Sequence, residues 1–193
     1  LNNLGQFLSD SRNASRAEAV FGLALARAPS CEPGRSLGST IGCNLAALLA
    51  TSDSARSESL ARQSLDFYLE ILRDDPSSVE AACNAAATMN PIAMAQGAGS
   101  RHRDAIQTLH QSIELTQQLR SRFPEHAAFR RALAVSLNHL GLSLAALGKS
   151  DRAATSFQNA RQHAEALIHV FPSDAEVQSM MASILNNLAL LHQ

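Results

Sequence analysis

The apolar positions near the end of the chain repeat with the spacing of an α-helix. Apolar residues between Ala153 and Phe171 lie four, three, four, three and four positions apart, which places them on one helical face. A matching pattern lies 48 positions earlier. The two faces are Ala153, Phe157, Ala160, Ala164, Leu167 and Phe171, and Ala105, Leu109, Ser112, Thr116, Leu119 and Phe123. The pattern predicts two helices related by an internal repeat.

Prolines follow the same period. Pro76, Pro124 and Pro172 are 48 residues apart, and Pro29 precedes Pro76 by 47. Because proline disfavours a helical residue before it, each proline predicts the end of a helix. The predicted repeats are 1–29, 30–76, 77–124, 125–172 and a half repeat, 173–193. The predicted helices are 1–9, 15–28, 36–51, 55–74, 78–96, 102–122, 127–147, 151–170 and 175–192. Short connections predict antiparallel neighbours in a single repeat array.

One helix of this series carries an internal proline. Pro91 lies within 78–96, where a proline removes a backbone hydrogen bond and clashes with the preceding turn. We therefore expect a kink or break between Met89 and Pro91. Packing could absorb the bend, or the bend could reshape a binding groove together with the GAGS stretch that follows it.

The composition favours an all-α fold. The chain has 193 residues, of which 46% are hydrophobic but only 4% aromatic, and alanine and leucine are better suited to helices than to strands. A formal net charge of -1 provides no basic field, so we expect no nucleic-acid partner. No apolar run approaches the roughly 20 residues of a membrane span, so we expect a soluble protein. Three cysteines with no metal-binding spacing favour a reducing, cytoplasmic location.

The repeat also resembles a known family, the tetratricopeptide repeat, in its residue types and spacing. The first match is Leu1, Leu4, Gly5, Leu8, Ala17, Phe21, Ala24 and Pro29. It recurs, at an offset of 136, as Leu137, Leu140, Gly141, Leu144, Ala153, Phe157 and Ala160. The second repeat, 30–76, aligns less closely, with Ala46 at the glycine position and Ser57, Ala61 and Ser64 at the Ala-Phe-Ala positions. Proline follows Ala160 after 12 residues but Ala24 after five, so the resemblance is to long-helix members.

The resemblance implies a fold and a binding surface. The expected fold is a right-handed α-α superhelix of about four helix pairs, in which the first helix of each pair lines a concave groove that binds partner peptides. By position, the lining is Thr40, Cys43, Ala47, Ala87, Asn90, Met94, Val135, Asn138, Leu142, Ala145, Asn186 and Leu190. These positions carry no lysine or arginine, which argues against members that clamp a chaperone's C-terminal carboxylate. Asn3, Asn44 and Asn187 share a position where we expect hydrogen bonds between helices rather than ligand contact.

A second candidate site lies around the turn at Pro124. The segment RSRFPEHAAFRR brings together four arginines whose planar donor groups suit an acidic peptide or a phosphate. The alternative is that they are solvated side chains at helix ends. The possible anion patch is Arg120, Arg122, Arg130 and Arg131.

The sequence gives no argument for catalysis, a metal or a cofactor. It has no H-x-x-x-H spacing, no nucleophile elbow and no phosphate-binding loop. The favoured function is a protein-interaction scaffold for an unidentified protein or peptide. One alternative is a regulatory segment of a larger enzyme, since the LNNLG phrasing resembles repeat arrays attached to bacterial serine/threonine kinases.

Another alternative is a self-assembly module. We expect the chain to be a segment of a longer array whose ends make head-to-tail contacts. The apolar stripe expected to lie uncovered at the C-terminal end is Val177, Met181, Ile184, Leu188 and Leu191.

Overall fold

The chain forms a series of α-helices in the computed structural model, which describes residues 14–27, 34–124 and 126–191. The helices are α1 (Ala14–Ala26), α2 (Gly34–Leu49), α3 (Ser54–Asp74), α4 (Val79–Ala98), α5 (His102–Arg122), α6 (Ala127–Ala146), α7 (Ser150–Val170) and α8 (Ala175–Leu191). Each end lies within two residues of the prediction, and these described ranges contain no strand. The all-α class is therefore confirmed, while the helix predicted at 1–9 lies outside the described residues.

Three prolines set the lengths of the helices. Asp75, Phe123 and Phe171 precede them and have nearly the same extended backbone, with φ between -125° and -129°. Each donates its backbone N–H to the carbonyl four residues earlier, at 2.7 to 2.9 Å. Proline disfavours helical geometry in the residue that precedes it. The helices α3, α5 and α7 therefore end two positions before a proline, and each is 21 residues long. The 48-residue period is thus a property of the backbone.

The ends of α4 and α6 follow the same period through a different device. Gly148 has a φ of +69°, and Ser100, 48 positions earlier, has a φ of +59°. After α6, the N–H of Gly148 bonds the carbonyl of Ala145, and that of Lys149 bonds the carbonyl of Leu144. This is the Schellman arrangement, in which a left-handed residue closes the helix. Glycine adopts the left-handed conformation without a steric penalty. At Ser100 the same conformation is unfavourable because the Cβ atom lies close to the following carbonyl oxygen.

The chain divides into two compact units, Leu1–Gly99 and Ser100–Gln193. In the first unit, each of the helices α1 to α4 packs on the next in sequence, and α2 also contacts α4. In the second, α5 to α8 pack in the same way and α6 also contacts α8. In the first unit, the adjacent first helices α2 and α4 therefore pack against the second helices α1 and α3. In the second unit, the adjacent first helices α6 and α8 pack against the second helices α5 and α7.

The predicted helical faces form the contact seams of the second unit. All members of the two faces are buried except Phe123, which is half-buried, and Phe171, which is exposed. These two residues lie past the ends of α5 and α7, where the helical periodicity no longer applies. The hydroxyl groups on the α5 face are satisfied locally. Ser112 Oγ lies 3.0 Å from Ser136 Oγ on α6, and Thr116 donates to the carbonyl of Ser112 at 2.6 Å.

Side-chain volumes at the helix crossings are matched in pairs. Gly141 faces the buried ring of Phe157, and a methyl group at Gly141 would lie 2.5 Å from Cε1 of that ring. At the corresponding crossing in the first unit, Ala46 and Ala61 are both fully buried in one cluster. Ser57, which aligns with Ala153, donates its hydroxyl to the carbonyl of Ala46 at 2.6 Å. These contacts fit the alignment of the second repeat, 30–76, with the family pattern.

Of the kink or break expected at Pro91, the break is wrong, because α4 runs without interruption from Val79 to Ala98, while the kink stays a prediction. Pro91 and both neighbouring residues are buried, so the helix continues in a packed environment although the carbonyl of Ala87 loses its usual donor. Gln96, placed where the period calls for leucine, is also buried. Its amide donates to Glu58 Oε1 on α3 at 3.1 Å, which satisfies the polar group within the core.

The stripe expected to lie uncovered on α8 is largely covered. Val177 and Ile184 are fully buried, and Ile184 packs with Ala160 and Ala164 of α7. Met181 and Leu188 join the edge of that cluster. The exposed leucines of α8 are instead Leu185 and Leu190.

Replacing Gly141 with alanine tests the matched volumes. Alanine gains about 1 kcal/mol of helix propensity, but its methyl group collides with a ring that has no room to move, and overpacking costs about 1–3 kcal/mol. We expect Gly141→Ala to lower the free energy of unfolding by up to about 2 kcal/mol in urea titrations followed by circular dichroism. Gly22→Ala is the matched control. No described atom lies within 4 Å of a methyl group there, so it should stabilise the chain by about 0.5–1 kcal/mol. Equal stabilisation by both substitutions would contradict the packing.

Candidate functional site

The first candidate is the set of twelve lining positions predicted from the sequence, six in each compact unit, here called the first-helix surface. On α2 and α4, Ala47 and Ala87 are exposed, while Thr40, Cys43 and Met94 are half-buried. Thr40 Oγ1 lies 2.8 Å from the hydroxyl of Tyr68 on α3. The exposed lining residues of the first unit are thus alanines, which present little apolar area to a partner.

Cys43 does not present a reactive thiolate on this surface. The hydroxyl of Thr88 on α4 lies 3.5 Å from its Sγ. Burial raises the pKa of the Cys43 thiol, and the hydrogen bond from Thr88 acts in the opposite sense. A thiol with a raised pKa stays protonated at neutral pH and is a poor nucleophile. Cys83 is also a free thiol whose pKa burial raises.

In the second unit, two of the lining positions carry exposed leucines. Leu142 on α6 and Leu190 on α8 are 42% and 57% exposed and lie 48 positions apart. Val135 and Ala145 are half-buried beside them in the sequence of α6, and Asn186 is exposed. Two large apolar side chains therefore reach solvent at equivalent positions of two helices that contact each other.

Two predicted groove amides are not available to a ligand. Asn90 and Asn138 are buried rather than exposed. Asn138 Oδ1 accepts a hydrogen bond of 2.9 Å from Asn187 Nδ2, which joins α6 to α8. The interpretation of Asn187 as a residue that holds the stack is confirmed, and the placement of Asn138 in the groove is wrong. Helical spacing fixes a direction around the axis but not the depth to which the neighbouring helix covers it.

The second candidate lies in the second unit, between the turn at Pro124 and the end of α7. A cavity of about 240 Å³ opens there, here called the cationic cleft. Its lining residues are Arg120, Pro124, His126, Ala127, Arg130, Ala166, Leu167, Val170 and Phe171. The arginines come from the end of α5 and the start of α6, and α7 supplies an apolar wall. Val170 and Phe171 are 65% and 40% exposed at this wall.

The four arginines of the predicted anion patch separate into two pairs. Arg120 and Arg130 line the cleft. Arg131 instead bonds Asp174 at 2.8 Å and Glu176 at 3.1 Å, so its charge is already neutralised. The guanidinium of Arg122 lies over the ring of Phe123, 5.5 Å from its centroid. Of the four predicted arginines, the lining of the cleft therefore contains Arg120 and Arg130.

Aromatic contacts fix the turn beside the cleft. Phe123 stacks on Phe129 with centroids 6.1 Å apart, and the imidazole of His126 meets both rings edge-on at 6.4 Å. Phe129 is fully buried, so this cluster anchors the turn to the start of α6.

Two features near the cleft were missed from the sequence, namely the apolar wall and the position of His163 on α7. The signal was present in Val170 and Phe171, two large apolar residues in succession at a predicted helix end.

His163 on α7 reports the positive field near the cleft. Burial lowers the pKa of its imidazole, and the charges of Arg120 and Arg130 lower it further. Both cations therefore act on one histidine across the helix interfaces.

The described ranges contain neither a metal-binding cluster nor a membrane-spanning helix. Among residues 14–27, 34–124 and 126–191, no cluster of three or more His, Cys, Asp or Glu side chains could hold a metal ion. The helices in the described part of the chain do not include one long and apolar enough to cross a membrane. No protein-family model matches the chain, and no curated protein matches it significantly. The tetratricopeptide resemblance therefore stays a prediction.

Removing one arginine should change the titration of His163. Both arginines lower its pKa by disfavouring the imidazolium, so Arg130→Gln should raise that pKa toward the ordinary value near 6.5. The measurement is an NMR pH titration of the His163 ring. Arg122→Gln is the control, since the charges acting on His163 are those of Arg120 and Arg130. An unchanged or lower pKa in Arg130→Gln would contradict the arrangement.

Proposed function

We propose that the chain is a non-catalytic protein-interaction scaffold that binds an apolar peptide or helix of a partner on its first-helix surface. The observation that carries this proposal is the pair Leu142 and Leu190, exposed at equivalent positions on the adjacent helices α6 and α8. Single exposed leucines are common, but two at one repeat position on neighbouring helices form a recurring apolar contact.

The size of the exposed apolar area sets the expected affinity. Together the two leucines expose about as much as one fully exposed leucine. Burying one leucine side chain contributes about 1.5–3 kcal/mol, which corresponds to roughly 10- to 150-fold in a dissociation constant. That is too little for a tight complex alone. A partner must therefore also cover the flanking Val135 and Ala145, which favours an extended or helical segment over a small molecule.

The wider arrangement belongs to the same proposal. The contacts of α2 with α4 and of α6 with α8 support stacked helix pairs within each unit, and a right-handed superhelix of the tetratricopeptide type would join the first helices into one groove. The function assigned to the surface would be the same if the chain is a regulatory segment of a larger enzyme such as a bacterial kinase.

A peptide-selection experiment tests the first-helix surface. Random 12-residue peptides are selected on the immobilised chain, and the dissociation constants of the selected peptides are measured for variants. Leu142→Glu places a charge in the apolar contact and should weaken binding by about tenfold or more. Leu69→Glu, at an exposed leucine of the second helix α3, is the matched control and should change binding by less than about twofold.

The outcome separates surface from fold. Circular dichroism must show the same helix content in both variants and the wild type. Selected peptides that bind Leu142→Glu as tightly as wild type would refute the proposed surface. Equal weakening by both substitutions would refute it as well, because a general charge effect would then explain the loss.

Self-association is a second candidate function, favoured by Leu185. This residue is 46% exposed on α8, although Leu137, its equivalent on α6, packs against the cluster of Ala160, Ala164 and Ile184. A second copy could cover Leu185 as α7 and α8 cover Leu137. Sedimentation at protein concentrations up to roughly 1 mM should then show dimers in the wild type and monomers in Leu185→Glu. A wild type that stays monomeric throughout would exclude this candidate.

A further inference from the structure

Two arginines of the cationic cleft are half-buried without an acidic partner among the described residues. Arg120 and Arg130 form no ion pair there and are shielded from full solvation. The other arginines with described side chains that show no ion pair and stay unstacked are exposed, namely Arg16, Arg27, Arg73, Arg103 and Arg152. A partly desolvated cation without a counter-charge is unfavourable, and an anionic ligand removes that cost.

The repeat itself shows that the start of α6 differs from its equivalents. Ser78, His126 and Asp174 occupy the same N-cap position, 48 residues apart. The side chains of Ser78 and Asp174 accept backbone N–H groups of the helices that follow them. His126 makes no such bond, and the first turn of α6 has no acidic residue. The positive end of this helix therefore adds to the charges of Arg120 and Arg130 rather than being neutralised by a cap.

The apolar part of the cleft lining restricts the kind of anion. Leu167, Val170 and Phe171 line the same cavity of about 240 Å³ as the two arginines. Inorganic phosphate would use only the cationic half and leave this wall in water. A ligand that uses both halves must carry an anion next to a bulky apolar group. Arginine suits a carboxylate because its planar group donates two parallel hydrogen bonds.

We propose that the cationic cleft binds an acidic peptide segment in which a glutamate or aspartate adjoins a bulky apolar residue. The carboxylate lies between Arg120 and Arg130, and the apolar side chain packs on Val170 and Phe171. This site is separate from the first-helix surface and rests on different residues. Loss of binding at one site therefore leaves the other unaffected.

The test is an NMR titration of the whole chain with a synthetic peptide. The probe is acetyl-Ala-Glu-Phe-Ala-amide at up to about 5 mM, a range that detects millimolar affinity. We expect shifts of the Nε–H signals of Arg120 and Arg130 and of the amide of Phe171. We also expect the pKa of His163 to rise on saturation, because the bound carboxylate offsets the two positive charges. Binding should weaken as salt is raised.

Peptide and protein variants separate the two halves of the cleft. Replacing the glutamate of the peptide by glutamine, or its phenylalanine by alanine, should each weaken binding by about tenfold. Arg130→Gln in the protein should weaken it by about tenfold or more, since hydrogen bonds to charged groups contribute that much. Arg122→Gln, which removes a nearby arginine outside the lining, should change it by less than about twofold.

Several results would overturn the proposal. These are no shifts at the highest peptide concentration in either the wild type or Glu125→Gln, equal binding of the glutamine peptide, or equal weakening by Arg122→Gln. Inorganic phosphate that binds as tightly as the peptide would show that the apolar wall is unused. Glu125 adjoins His126 in the sequence and lies outside the described residues, so the titration is repeated with Glu125→Gln. Binding seen only in that variant would show that the chain's own carboxylate competes for the cleft.

Discussion

The steric restriction that proline places on the residue before it is the constraint on which this architecture depends. At Asp75, Phe123 and Phe171 it ends three second helices at the same phase. Helices of equal length then return the chain to equivalent positions, so α4, α6 and α8 begin 48 residues apart. The regular start of the first helices is what places Leu142 and Leu190 in equivalent positions. One local rule about backbone geometry thus arranges side chains far from any proline.

The two candidate surfaces arise from different parts of this repeat. The first-helix surface uses what the repeat conserves, the regular contact between neighbouring first helices. The cationic cleft uses what the repeat varies, since histidine replaces a capping serine or aspartate at one of three equivalent positions. Regularity provides area, and a departure from it provides charge. Functional differences in a repeat protein are therefore best sought where one unit departs from the others.

Helix bounds and seams could be predicted because they depend on local spacing. The face from Ala105 to Leu119 is buried as its period indicated, and α6 ends within one residue of its predicted bound. The errors concern packing between helices. α4 is continuous through the buried Pro91, Asn138 is hydrogen-bonded to Asn187, and Arg131 is paired with Asp174. Spacing along one helix contains no information about the residues that a neighbouring helix brings to it.

The matched volumes at the helix crossings bear on how such a repeat diversifies. Gly141 with Phe157 and Ala46 with Ala61 are two solutions to the same space, and each works only as a pair. A hybrid that joined α2 to α7 would drive the methyl group of Ala46 into the ring of Phe157, and the reverse hybrid would leave a void. After duplication, the two helices of a unit must therefore change together. The helix pair, rather than the single helix, is the segment that recombination can exchange.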